Sequence, residues 1–300
     1  MQKLFANPVM IRELRGRMRG RRAMIMMTVY LTITSLVTLL IYLAVISSQM
    51  GMRDIETGRT IGKAIFLTVM TTTLVQVCLI IPTLTAGSIA GEKERQTYDL
   101  LLITTLSPLQ IVLGKMMAQL AFAMLMIIAV LPLAGLAFVF GGVSGIELLV
   151  ALIGLSVTAL LYSAEGLYWS TMMKTTQGAT SMAIGTVIMM LLVIPFLFVI
   201  ISIIFDTNFR NMNESAFYIY TIGTMLCLHP FIALGMTAAS LSAGESLWIV
   251  SITSTNGEVL APSPWLGYTL LALLLTLLLL FLSVRRVKPD EYIPRRKRSD

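Results

Sequence analysis

The sequence predicts an all-α polytopic membrane protein: six transmembrane helices, an N-terminal amphipathic interface helix and an outer re-entrant helical hairpin before the last span. Three observations predict it. Of 300 residues, 57% are hydrophobic and only 12% are charged, whereas soluble domains carry about 25% charged residues. The apolar residues gather into runs of bilayer length, giving a mean hydropathy of +0.86. The basic residues gather at the two ends, with seven Lys and Arg before residue 24 and seven after residue 284. Lipid is therefore the solvent for most of this chain.

The first apolar run, Met24 to Ile46, has 23 residues. A signal-peptide core has about 7–15, so this run is expected to stay as an anchor. At about 1.5 Å per residue it crosses a bilayer as a helix. Further spans are expected at 64–86, 112–140, 146–168, 180–204 and 264–284. Each must be helical, because irregular backbone cannot face lipid.

Placing the N-terminus inside puts 1–23, 87–115, 169–179 and 285–300 in the cytoplasm, where they hold 18 Lys and Arg against 4 in the outer segments. That bias sets the orientation. Residues 216–241 are apolar enough for a seventh span, but Pro230 divides them into pieces too short to cross. A seventh crossing would also place the basic tail outside. A re-entrant or interfacial hairpin is expected there instead, covered by protein or lining a cavity. The organisation expected is one membrane domain, 1–300. Its parts are an interface helix (1–23), five spans with a cytoplasmic loop at 87–115 (24–204), an external segment (205–263), the sixth span (264–284) and a basic tail (285–300).

Local signals mark the edges. Ser107-Pro108-Leu109-Gln110 reads as a capping box with Pro at N1, and Leu106 and Ile111 are spaced for a hydrophobic staple. Ser263-Pro264 starts the last span in the same way, with Trp265 at the outer interface. Tyr168 and Trp169 mark the inner interface, and Gly141 to Gly145 form a tight outer turn.

Much chemistry is excluded. The single histidine, His229, rules out paired-histidine metal motifs, and no G-x-S-x-G elbow is present. Gly62-Lys63 and Gly114-Lys115 are followed by Ala64 and Met116, so neither is a phosphate-cradling loop. No catalytic residue, metal site or cofactor is expected in this chain. Cys78 and Cys227 form no CxxC and read as apolar filler. The net charge of +7 sits at the membrane flanks, which argues against nucleic acid. Carriers place ionisable groups at the midplane, and these spans hold almost none. Glu165 is the exception. It reads either as an interface residue near the inner end of the fourth span or as a residue of a substrate path.

Two segments carry chemistry. In Asn7 to Arg22, Asn7 can cap a helix with Pro8 at N1. Val9, Met10, Leu14 and Met18 then share one face, and Arg12, Arg15, Arg19 and Arg22 populate another, with Glu13 between. That is a basic helix lying in the inner interface, or a topology signal alone. The second segment, Gly91 to Lys115, mixes acids and bases and then turns apolar (Tyr98, Leu100, Leu101, Leu102), which suits docking of a soluble partner.

Three stretches resemble the membrane subunits of ATP-binding-cassette exporters of the type-2 permease family. N-P-V-M-I-R-E-L-R is similar to that family's N-terminal interface helix. G-E-K-E-R-Q-T-Y-D-L-L-L-I-T-T-L-S-P-L-Q-I-V-L-G-K resembles its first inside loop, with Tyr98-Asp99 a mild departure. H-P-F-I-A-L looks like its outer re-entrant helices. The resemblance implies a homodimer or heterodimer of permeases over two ATPase subunits, which would bind ATP and Mg. It also implies ATPase coupling through Glu92, Glu94, Arg95, Thr97, Asp99 and Leu101, positioned by Ser107 and Pro108, with Asn7, Pro8, Arg12, Glu13 and Arg15 in the interface helix. A prokaryotic inner-membrane location with both termini cytoplasmic follows. A membrane scaffold that uses an ATPase for mechanical work shares these features, and a secondary carrier is a further alternative.

Overall fold

A computed structural model describes residues 8–18, 21–48, 55–99, 106–208, 220, 223–224, 227–242, 246, 248–254 and 257–287. The helices are α1 (Pro8–Met18), α2 (Arg21–Ser48), α3 (Ile55–Glu94), α4 (Pro108–Val139), α5 (Gly145–Met172), α6 (Thr176–Asn208), α7 (Pro230–Ser242) and α8 (Pro264–Arg286). Six of the described helices, α2 to α6 and α8, are long and apolar enough to cross a membrane, and α7 is a shorter apolar helix. The six spans are those expected, most of them extended by one to nine residues at an end, while α4 stops one residue earlier, at Val139, and α8 starts at Pro264 as expected.

One addition was not expected. Strands β1 (Ile249–Ser254) and β2 (Gly257–Pro262) form an antiparallel pair with Ser254 opposite Gly257. It packs onto the start of α8: the Ser263 N–H donates to the Trp248 carbonyl at 2.9 Å, and the Trp248 and Trp265 rings lie 6.0 Å apart. Within the 216–241 stretch, Cys227 is helical, Leu228 and His229 turn, and α7 begins at Pro230. The chain therefore breaks where the proline forbids continuation.

α3 is the centre of the bundle, packing against α2, α4, α5 and α6. Its 40 residues make it about 60 Å long, twice the thickness of a hydrocarbon core. The segment expected as a loop from residue 87 is therefore helix as far as Glu94, a correction that follows from this extra length. α3 and α5 run parallel and close together. A methyl group at Gly166 would come within 2.5 Å of the Pro82 carbonyl oxygen, so only glycine permits that approach. Further along, the N–H groups of Ile89 and Ala90 both donate to Ser170 Oγ, at 2.8 and 2.9 Å. A side chain of α5 is thus inserted into the hydrogen-bond ladder of α3.

α4 and α5 form a tight hairpin through residues 140–144. Gly141 takes φ +73, the left-handed region open to glycine. The expected capping box at Ser107 is present: Ser107 N–H donates to Gln110 Oε1 at 2.9 Å, and Gln110 N–H to Ser107 Oγ at 3.3 Å. A second box, Ser144 with Glu147, starts α5. Leu106 packs against the cluster holding Ile111, as the staple requires. Ser263 and Pro264 start α8, but without a side-chain cap hydrogen bond.

Candidate functional site

The charged residues at the α1 end of the bundle converge where α3 finishes. Lys115, about two turns beyond the cap of α4, is only 1% exposed. Its ammonium group has three donors, and all three are used. They go to Glu13 Oε1 of α1 at 2.9 Å, the Ser88 carbonyl of α3 at 2.9 Å and Glu92 Oε1 of α3 at 2.8 Å. A buried ammonium is tolerated only when paired and fully hydrogen-bonded, and this one ties three elements together.

The next two residues of α3 point elsewhere. Lys93 donates to the carbonyls of Thr171 and Met173, the orphan acceptors at the C-terminus of α5, where a cation also complements the helix dipole. Glu94 Oε2 accepts from the Thr176 N–H at 2.9 Å, at the first residue of α6, where a carboxylate is favoured for the opposite reason. Three consecutive side chains therefore grip α1 with α4, α5 and α6 in turn.

Beyond Glu94 the helix stops in a Schellman motif. Thr97 N–H donates to the Glu92 carbonyl at 2.9 Å, and Gln96 N–H to the Lys93 carbonyl at 3.1 Å. The residue in the left-handed position is Gln96, with φ +57, where glycine is usual. Arg95, Gln96 and Thr97 are exposed at this turn. Tyr98 folds back under Lys93, whose ammonium lies 5.4 Å from the ring centre. It packs on the Ile89–Ile111–Met116 cluster, so Tyr98 faces the bundle.

Of the residues singled out in the sequence, the structure brings Glu13 and Glu92 together on Lys115 and sets Glu94 on α6. Arg95, Thr97 and Asp99 are exposed at the tip, and Arg12 and Arg15 are exposed on α1. Ser107 and Pro108 start α4. Glu165 is 5% exposed inside α5, away from this cluster. Asn7 and Leu101 lie outside the described residues, and of Pro8 only its place as the first residue of α1 is described. Sequence reasoning missed Lys115, Lys93 and Ser170. The signal for Lys115 was available: it shares the face of Ile111, Val112 and Met116, about two turns past a capped start, where an unpaired charge would be costly.

The helix layout agrees with comparison to known proteins. A family model described as ABC-2 family transporter protein matches residues 57–284, which takes in α3 to α8 save two residues at each outer end. No curated protein matches. Six apolar helices, the capped α4 and a family match over most of its length make this chain a member of the ABC-2 transporter family, a multi-pass membrane component of a transport system.

Proposed function

We propose that this chain is the permease subunit of an ATP-binding-cassette exporter in a prokaryotic cytoplasmic membrane, with both termini and the α1 end facing the cytoplasm. Two permease chains would pair over two ATPase subunits, which supply ATP and Mg. The tip at Arg95 to Asp99 and the segment after it dock on the ATPase, and α1 lies beside the contact. One observation supports this reading above the others: Glu92, Lys93 and Glu94 connect the exposed tip to α4, α5 and α6 by direct hydrogen bonds, and to α1 through Lys115. A push on the tip is delivered to four elements at once rather than lost in a loop. The basic residues clustered at that end agree with a cytoplasmic face.

The same geometry decides how to test it. Glu94 is committed to Thr176, so reversing its charge would break the bundle as well as any docking. Gln96 and Thr97 are exposed and are the cleaner probes. A cysteine at either position should cross-link to the ATPase in native membranes, and one at Asn213 should not. Capture of the ATPase by Lys174→Cys alone would move the docking element to the α5–α6 turn.

A further inference from the structure

At the opposite end of the bundle, α6 contains Pro195. Proline has no N–H to give to the carbonyl four residues earlier, so the Leu191 carbonyl lacks its helical donor. His229 supplies one: its Nε2 lies 3.2 Å from the Leu191 oxygen. The other ring nitrogen is also occupied, because Nδ1 accepts the Ile232 N–H at 3.3 Å. His229 is thus the N-cap of α7, with Pro230 at N1, and the Ala233 N–H closes the first turn onto its carbonyl at 2.9 Å. An acceptor at Nδ1 and a donor at Nε2 define the neutral imidazole with its proton on Nε2. The residue is 7% exposed. One ring starts α7 and fastens it to the proline site of α6.

The position of α7 matters, because it forms one wall of an apolar cleft. That cavity, of about 70 Å³, lies between α3, α5 and α7 and is lined by residues including Phe66, Leu74, Val150, Leu234 and Thr237. Leu234 fits against Gly154, where a methyl group would come within 2.6 Å of its Cδ2. On the other side, Cys227 packs on the first turn of α8, with its Sγ 2.9 Å from where a Gly267 methyl would stand. The His229 ring makes a polar tie between α6 and this hairpin.

We propose that His229 is a positioning residue for transport: a latch that holds α7 against the Pro195 site of α6 and keeps that end of the bundle closed, opening when its Nε2 hydrogen bond to Leu191 is released. The latch rests on family membership and not on the manner of ATPase docking.

Cys227 gives a native reporter. In a Cys78→Ala background it is the sole thiol, and its labelling by a bulky maleimide in open native membrane fragments reads departure of the hairpin. Wild type should label slowly. His229→Asn keeps an acceptor near Nδ1 but loses the reach to Leu191, and should label about tenfold faster, the change in open population expected on losing one buried hydrogen bond. His229→Gln places an amide N–H near Nε2 and should stay within about twofold of wild type. Pro195→Ala restores the N–H that satisfies Leu191 from within α6, so it should label as fast as His229→Asn without any change in the hairpin. The double variant should label no faster than either single one. A Pro195→Ala rate equal to wild type, or a fast His229→Gln beside a slow His229→Asn, overturns the latch. If the histidine variants fail to accumulate, Pro195→Ala decides alone. With MgATP, wild type should accelerate and Pro195→Ala, already open, should not. Equal acceleration in both overturns the link to transport, whereas no acceleration in wild type counts against ATPase coupling and leaves the other arms to judge the latch.

Discussion

Lys115 shows how much one side chain can organise. Removing it leaves the Glu13 and Glu92 carboxylates facing each other without their cation. Lys115→Met should therefore destabilise the chain by roughly 3 kcal/mol, the lower end of the range for breaking a buried ion pair, because both glutamates are partly exposed. Adding Glu13→Gln and Glu92→Gln should recover much of that loss, which heating the detergent-solubilised protein and measuring the monodisperse fraction would show. Gln96 is the other informative position. A left-handed conformation costs a non-glycine residue about 1–2 kcal/mol, and glycine carries about 0.5–1 kcal/mol of extra unfolded-state entropy. Gln96→Gly should thus stabilise by about 0.5–1 kcal/mol in the same assay. The burial of Lys115 was signalled by its place on the apolar face of α4, but its partner was not. Lys115 and Glu13 are 102 residues apart, and no local pattern reports a pairing over that distance.

At the scale of elements, local chemistry was legible and contacts between elements were not. The Ser107 capping box, the Pro230 break and the glycine turn at 141 each follow from residues within a few positions of one another. The Ser144–Glu147 box follows the same rule, although the sequence reading did not use it. The β-hairpin was also signalled, by Asn256-Gly257 between runs of strand-forming residues, but it was overshadowed by the surrounding apolar helices. The close approach of α3 and α5 had no such signal, since Gly166 in a helix is only a weak former until its neighbour is known. Gly166→Val must push α3 away from α5 and strain the hydrogen bonds that Ser170 accepts from Ile89 and Ala90. Expected results are faster backbone hydrogen exchange at Ile89 and Ala90 and loss of transport-coupled ATPase stimulation, while insertion of the spans is unchanged.

For the whole molecule, hydropathy was enough. Six spans follow from apolar length, because the bilayer fixes the length that counts, once Pro230 has divided the seventh candidate. Orientation rests on the distribution of Lys and Arg. A reporter fused after Arg298 should read as cytoplasmic and one at Asn213 as external; an external reading at Arg298 would invert the assignment of the two ends. The extra length of α3 was less legible, because its last turns are charged and look like loop. Those turns do the connecting, and they carry the span on as helix to Glu94.

The three-way grip of residues 92–94 has a consequence for how such a chain can vary. Deleting one residue between the Ser170-bonded turn and Glu94 rotates the following side chains by about 100°. Lys93 would then face Lys115, and an acid would face the carbonyls ending α5. Substitution there costs one contact, but a change of length misplaces every contact together. Insertions and deletions should therefore be absent from the last turn of α3 and from the turn that follows it as far as Tyr98, which still packs on the bundle.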